Sequence, residues 1–361
     1  MMRFGERFRV TIFGSSHGPE VGVEIEGVPA GTPLDLPAIQ TQLDRRRPVG
    51  RRLATKRQEE DLLVVDGGVA EGRANGDVIR AHVANEDVRR EPYERMRDTP
   101  RPGHADFPAR VRYGPAADLS GGGIFSGRMT VGLVIAGAVA RQLLAPRGVD
   151  LVGYSRSIGT VDATVPEDAD VPTLRRHSER NEVASADAAA AARMEAAIAS
   201  ARREGDSVGG VVEVRIDGLP VGLGEPFFDS VESAIAHVVF SVPAVKGIEF
   251  GAGFRSARMR GSEHNDPFVW VDGTVRTTTN HSGGILGGLT TGMPVVFRAV
   301  VKPTSSIARP QQTVDLARRT NTTLAITGRH DPCIVPRAVV VLESVAAIAL
   351  VDLAMRGGYL P

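Results

Sequence analysis

Lys302 opens the run Lys302-Pro303-Thr304-Ser305-Ser306-Ile307, in a chain whose 43 basic residues include only three lysines. A position that keeps lysine against so strong an arginine bias calls for a compact ammonium rather than a planar fork. Here the ammonium precedes three hydroxyls, after Pro303 has fixed one backbone angle. An ammonium with clustered hydroxyl and amide donors is a way to hold phosphate. The competing reading, which the run alone favours, is a strand leaving the core into an ordinary polar turn.

Other short runs carry chemistry of the same kind. In Gly14-Ser15-Ser16-His17-Gly18-Pro19 a histidine sits on a turn between glycines and hydroxyls, where it can approach a ligand. The alternative is a turn histidine satisfied by local backbone. Arg45, Arg46, Arg47, Arg51, Arg52 and Arg57 form the densest charge cluster. It reads as a solvated helix end, as a nucleic-acid surface, or as a site for a small polyanion gripped by arginine forks. The formal net charge of zero and the lack of interleaved aromatics weaken the nucleic-acid reading. Further arginine-bearing loops favour the polyanion.

The loop Arg101-Pro102-Gly103-His104-Ala105-Asp106 has a rigid Pro-Gly corner that presents Arg101 and His104 together. The run Gly121-Gly122-Gly123-Ile124-Phe125-Ser126-Gly127-Arg128 leads into a helix, where bare glycines let an anionic group reach free N–H groups. It lacks the Gly-Lys of a nucleotide-hydrolase phosphate loop and the spacing of a Rossmann turn. Gly283-Gly284-Ile285-Leu286-Gly287-Gly288 is either close backbone packing or a surface bare enough for a planar ring. In Gly328-Arg329-His330-Asp331-Pro332-Cys333, an arginine two residues from an aspartate favours the ionised, basic carboxylate.

Several function classes are excluded. The eight histidines show neither His-x-x-x-His spacing nor a nearby cysteine pair, so no metal is expected. No convincing serine-nucleophile elbow of the Gly-x-Ser-x-Gly type appears around the candidate loops. Cys333, the single cysteine, excludes an internal disulfide, fits a reducing compartment, and has no activating neighbour. No signal peptide is expected, and no apolar run is expected to be long enough for a bilayer. The longest, 338–355, is interrupted by Glu343 and Asp352 and reads as a buried helix. The expected protein is soluble and cytoplasmic, without membrane or nucleic-acid partners.

Positioning these loops requires many elements. Strand patterns cover 8–13, 21–25, 62–65, 78–83, 211–216 and 295–301. Helical patterns cover 37–47, 129–144, 186–204, 231–240 and 337–355, with Asp35 as a cap and Gly148, Gly205 and Gly357-Gly358 as stops. Strands and helices do not alternate regularly. The fold class is therefore α/β (α+β), a sandwich with antiparallel sheets around helices. Segment 160–185 reads as a flexible excursion, and residues 1–361 read as a single domain.

Taken in order, these motifs resemble chorismate synthase nearly end to end. The likeness runs through Gly14 to Gly18, Arg45 to Arg52, Pro102 to Asp106, Gly205-Asp206-Ser207-Val208-Gly209-Gly210, Gly222-Leu223-Gly224-Glu225-Pro226 and Ala244-Val245-Lys246-Gly247. It continues through Gly283 to Gly288, Lys302 to Ile307 and Arg329 to Pro332. The resemblance implies a β-α-β sandwich, a homotetramer, and the anti-1,4-elimination of phosphate from 5-enolpyruvylshikimate 3-phosphate to give chorismate with reduced FMN. It implies His17 as an acid near the departing phosphate, His104 beside the flavin, and Asp331, kept ionised by Arg329, as acceptor of the flavin N5 proton. Ser16, Arg46, Arg52, Arg101 and Arg128 would bind substrate anions. Ser126, Ala244, Gly287, Lys302, Pro303, Thr304, Ser305, Ser306 and Arg329 would hold FMN.

Some family members also reduce FMN with NADPH. No added segment for that is visible here, so an external flavin reductase or reductant is expected. The chain departs from the family where Ile124-Phe125 replaces Arg-Ser, Ser15 an acid, Pro243 a frequent asparagine and Ala74-Asn75-Gly76 a threonine-rich turn. Reshaped FMN binding is expected, with Phe125 packing on the isoalloxazine. The alternatives are a non-catalytic flavin- or phosphometabolite-binding relative with an altered FMN loop, and RNA binding through the arginine cluster.

Overall fold

Two five-stranded antiparallel sheets enclose a layer of helices in the computed structural model, which describes residues 2–47, 59–86, 97–114, 120–326 and 331–361. The first sheet contains β1 (Arg3–Phe4), β2 (Arg9–Gly14), β3 (Glu20–Glu26), β4 (Val64–Gly67) and β5 (Ile79–Ala84), in the order β1-β2-β3-β5-β4. The second contains β6 (Asp150–Ile158), β7 (Val161–Asp162), β8 (Gly210–Asp217), β9 (Val245–Phe250) and β10 (Val295–Val301), in the order β9-β10-β8-β6-β7. Period-two patterning sets which face is buried. Val21, Val23 and Ile25 of β3 point inward while Glu20, Glu24 and Glu26 alternate with them. In the second sheet Val212, Val214 and Ile216 lie opposite Ala299, Phe297 and Val295, all buried. A one-residue slip of either strand would turn its three apolar residues to the opposite face, which fixes the register.

The longer helices among the described residues are α1 (Leu36–Arg46), α2 (Asp106–Tyr113), α3 (Thr130–Leu144), α4 (Val171–Ser178), α5 (Ala188–Arg203), α6 (Val231–Val239) and α7 (Val335–Arg356). Asp35 caps α1 as expected, accepting from Ala38 N at 2.9 Å. Helix α3 packs on the first sheet, α7 on the second, and the two pack on each other. Their contact is close: a Cβ on Gly137 would overlap the Cβ of Ser344. Every residue of α7 from Ala338 to Met355 is buried, including two carboxylates. Glu343 accepts from Arg45 of α1, Arg141 of α3 and Gly153 N of β6. Asp352 Oδ1 accepts from the amides of Glu6, Arg7 and Phe8, tying the chain before β2 to the core.

Two expectations need correction, and one central strand has no counterpart among the sequence patterns. Segment 160–185 is ordered: it contains β7 and α4, whose N-terminus Asp170 caps at 2.8 Å from Thr173 N. Strand β6, at the heart of the second sheet, goes unread because Ser155 and Ser157 interrupt its apolar pattern. Both are nevertheless buried, and Ser155 Oγ donates to Val183 O. Finally, α7 and the segment Gly127–Arg147 are long and apolar enough to cross a bilayer, but their apolar windows are 94% and 67% buried within the protein. That burial is what core helices show.

Candidate active site

The ends of β2, α1 and β10 and the starts of α3 and α7 converge at one end of the sandwich, joined by hydrogen bonds between distant loops. The glycine run forms a bare turn, with φ of +61° at Gly121, +95° at Gly122 and +53° at Gly123. Such angles suit glycine, and space demands it as well. A Cβ on Gly121 would overlap the His17 ring, and one on Gly122 would come to 3.2 Å from both Cε1 and Nε2 of His104. The turn is thus seated against both histidines, which lie far apart in the chain. His17 is buried, with Nδ1 3.2 Å from Ser16 Oγ. Its turn is pinned by Asn85, which donates to the carbonyls of Ser15 and Gly18, and by Ser16 N, 3.4 Å from Gly123 O.

On the other side, Asp106 gathers the second loop. Its Oδ2 accepts from Arg101 N and Nε, and its Oδ1 from Arg101 Nη2 at 2.7 Å and from His104 Nδ1 at 2.6 Å. Burial pushes the Asp106 carboxyl up, but the hydrogen bonds from Arg101 and His104 outweigh it and hold it well below the usual carboxylate range. Arg101 Nη1 also donates to Ser306 Oγ at 3.3 Å, and Lys302 Nζ to Gly103 O at 2.8 Å. Those two bonds bring the 302–306 run against the histidine loop. Ala244, at φ +74°, accepts from Lys302 N at 2.9 Å. A β-bulge after Val245 places Lys246 beside Lys302, whose pKa is lowered by burial and by that second ammonium. Thr304 Oγ1 is buried without a hydrogen-bond partner among the described residues. Two ammoniums, clustered hydroxyls and an unsatisfied buried oxygen make a donor set suited to a phosphate group.

Arg46 and Arg128 form a third group, more deeply buried. Arg46 donates to Thr130 Oγ1 at 2.9 Å, Gly127 O at 2.9 Å and Asp61 Oδ2 at 3.0 Å. Arg128 donates to Asn85 Oδ1, Ala84 O and the other oxygen of Asp61. One carboxylate therefore holds both guanidiniums. Asp61 keeps this position at φ +50°, an uncommon backbone for a residue with a Cβ. Ser126 caps the turn into α3, accepting from Arg128 N at 3.2 Å. Asp331 is ion-paired with Arg337 of α7, which also donates to Arg46 O at 3.0 Å. Arg329, expected as that neighbour, lies outside the described residues, as does Arg52.

Gly287 is not joined to this cluster among the described residues: the contacts of its hairpin run to Leu223, Gly224 and Ser230. Phe125 packs against Tyr113, ring centroids 6.2 Å apart. Cys333 is buried, and burial pushes its thiol up to about 12, which fits the expectation that it is no nucleophile. Sequence reasoning missed Asp61, Asn85, Asp106, Arg337 and Lys246 as site residues. The rarity of lysine was a signal for Lys246. The others declare themselves only through their partners.

Comparison with known proteins identifies the family. A family model described as "Chorismate synthase" matches residues 8–355. The curated chorismate synthase of Korarchaeum cryptofilum is 48% identical over 353 residues, covering 98% of this chain and 97% of that protein. Those of Dehalococcoides mccartyi and Methanosarcina mazei are each 46% identical over 357 residues, covering 99% of this chain and 97% of theirs. A solved structure described as "Crystal Structure of Chorismate Synthase" superposes with a TM-score of 0.77 at 26% identity, covering 98% of this chain and 93% of that one. With the family matched across nearly its whole length, the chain belongs to the chorismate synthase family.

Proposed function

We propose that this chain converts 5-enolpyruvylshikimate 3-phosphate to chorismate by anti-1,4-elimination of phosphate. This carbon–oxygen lyase step belongs to the shikimate pathway of aromatic amino-acid biosynthesis and requires reduced FMN. The observation that carries the reading is the seating of His17 and His104 against two consecutive glycines, beside Arg101 and the 302–306 hydroxyl run. Reduced FMN, held by the 302–306 run, would supply electron density at the point where phosphate leaves and a basic site for the proton that the substrate loses.

The chain's own residues have the following roles in this reading. Lys302 and Lys246, with the hydroxyls of Thr304, Ser305 and Ser306, hold the cofactor's phosphate and side chain; Pro303, Ser126, Ala244 and Arg329 complete the set, and Gly287 joins it from a hairpin outside the 302–306 cluster. His104 stabilises the reduced ring. His17 donates a proton near the departing phosphate, and Asp331, ion-paired with Arg337, accepts one. Ser16, Arg46, Arg52, Arg101 and Arg128 bind the substrate's phosphate and carboxylates. Such cations accelerate the reaction only if they grip the phosphate harder as charge builds on it.

The single-domain reading is supported by one hydrophobic core that includes residues of both sheets. The homotetramer is supported by exposed Phe227, Phe228, Phe254 and Trp270, an unusual set for a free surface. A cytoplasmic location and an external source of reduced flavin complete the proposal.

The test is an anaerobic assay with 5-enolpyruvylshikimate 3-phosphate and chemically reduced FMN. Matched release of chorismate and phosphate, absent with oxidised flavin, is the expected result. His17→Ala and His104→Ala should each lower turnover by roughly 10²–10⁴-fold while FMN still binds. Flavin and substrate binding without product would instead favour a non-catalytic relative.

A further inference from the structure

Asp106 has a second task beyond closing its loop. Among the described residues, all four of its hydrogen bonds come from Arg101 and His104. Arg101 Nη2 lies 3.1 Å from His104 Nδ1, but both point at the same oxygen, Asp106 Oδ1. Two donors sharing one ionised acceptor is the consistent assignment, because a carboxylate without a proton can only accept. Nδ1 of His104 therefore carries hydrogen. The other ring nitrogen, Nε2, lies on the edge that faces Gly122. The charged and titratable groups around this ring are Asp106 and Arg101 on its own loop, Lys302 beyond Gly103, and His17 across the glycine turn.

We propose that Asp106 is a positioning residue that holds the Nδ1 proton of His104 in place in both protonation states. Proton uptake and release by this histidine are then confined to Nε2. Resting on the reading of His104 as a residue of the elimination site, this means that the imidazole presents one chemically defined edge to the bound ring throughout turnover. The same carboxylate fixes Arg101, so a single residue orients a substrate cation and a ring-facing histidine together. A histidine whose Nδ1 is fixed in this way needs no ring flip between protonation states.

Asp106→Asn breaks the device with little change in volume. Arg101 N and Nε both donate to Oδ2, so the single oxygen of asparagine is drawn to that position. The amide nitrogen then faces His104 and donates to Nδ1, and the proton moves to Nε2. The experiment is ¹⁵N NMR of the full-length protein labelled at histidine, with the His104 signals assigned by their loss in His104→Gln. The native protein should show the Nδ1–H tautomer and Asp106→Asn the Nε2–H tautomer. In the anaerobic assay, kcat should fall roughly 10²–10⁴-fold in Asp106→Asn with KM changing far less, and Asp106→Glu should restore part of it. An Nε2–H tautomer in the native protein overturns the proposal, as does an unchanged tautomer in Asp106→Asn. Retained kcat alongside a switched tautomer also overturns it. The native spectrum needs neither substrate nor flavin, so it reports on Asp106 even if the elimination activity is absent.

Discussion

Glu343 and Asp106 use the same chemistry to opposite ends. Each is a carboxylate that accepts from a guanidinium and lies well below its ordinary pKa against the push of burial, Glu343 through the positive charges of Arg45 and Arg141 and Asp106 through its hydrogen bonds from Arg101 and His104. Glu343 sits on the central helix, and its three donors come from α1, α3 and β6, so it joins four elements that share no local sequence. Asp106 takes all its donors from a single loop and orients a histidine that remains partly exposed. The difference is what the donors belong to. Where they are scaffold, the ion cluster sets the fold; where one of them is a ring facing a glycine turn, it sets the chemistry.

The sharpest way to break the comparison is Glu343→Ala. It leaves Arg45 and Arg141 without their shared anion, and unfolding free energy should fall by about 3–5 kcal/mol in denaturant titrations. The pH dependence carries its own signature. Burial pushes Glu343 up, but Arg45 and Arg141 bring it from 4.5 down to about 2. Its contribution is therefore full above the unfolded value and lost as pH falls through the folded one. Native protein should lose stability across that acid window, and Glu343→Ala should lack this component. A variant as stable as the native protein would remove Glu343 from the scaffold.

Asp61→Asn tests the intermediate case, since Asp61 is as buried as Glu343 but serves two arginines of the site. Glu59 remains 3.6 Å from Arg128, so the stability loss should be smaller, about 1–3 kcal/mol. KM for the phosphorylated substrate should rise about tenfold, the worth of one charge-assisted hydrogen bond. Lost stability with unchanged KM would place Asp61 with Glu343. The smallest effect is expected at the surface: Arg309→Ala removes a 2.9 Å pair with Asp206 whose side chains are 58% and 35% exposed. Its cost should stay within about 1 kcal/mol in thermal unfolding.

Much of this architecture was legible because its signals are local. The alternation in β3, β8 and β10 and the cap at Asp35 lie within a few residues, and the observed elements match within one or two positions. Strand β6 was illegible because its buried serines are satisfied by partners elsewhere, as Ser155 is by Val183. The site divides in the same way. The histidines and Lys302 announced themselves by residue type and turn context. Asp106 stood in the quoted loop, yet its role depends on which nitrogen it faces. Arg45 and Glu343 are 298 positions apart, and Arg337 bonds both Asp331 and the carbonyl of Arg46. Such pairings are products of the tertiary fold.

The contact between Gly137 of α3 and Ser344 of α7 has a mechanical consequence. The loop bearing His17 leaves the first sheet and the run beginning at Lys302 leaves the second, so the depth of the helix layer acts as a gauge block between two halves of a jaw. Closely packed interiors transmit displacement rather than absorb it. A single methyl group added at Gly137 would be felt as a change in how the jaw meets what it holds.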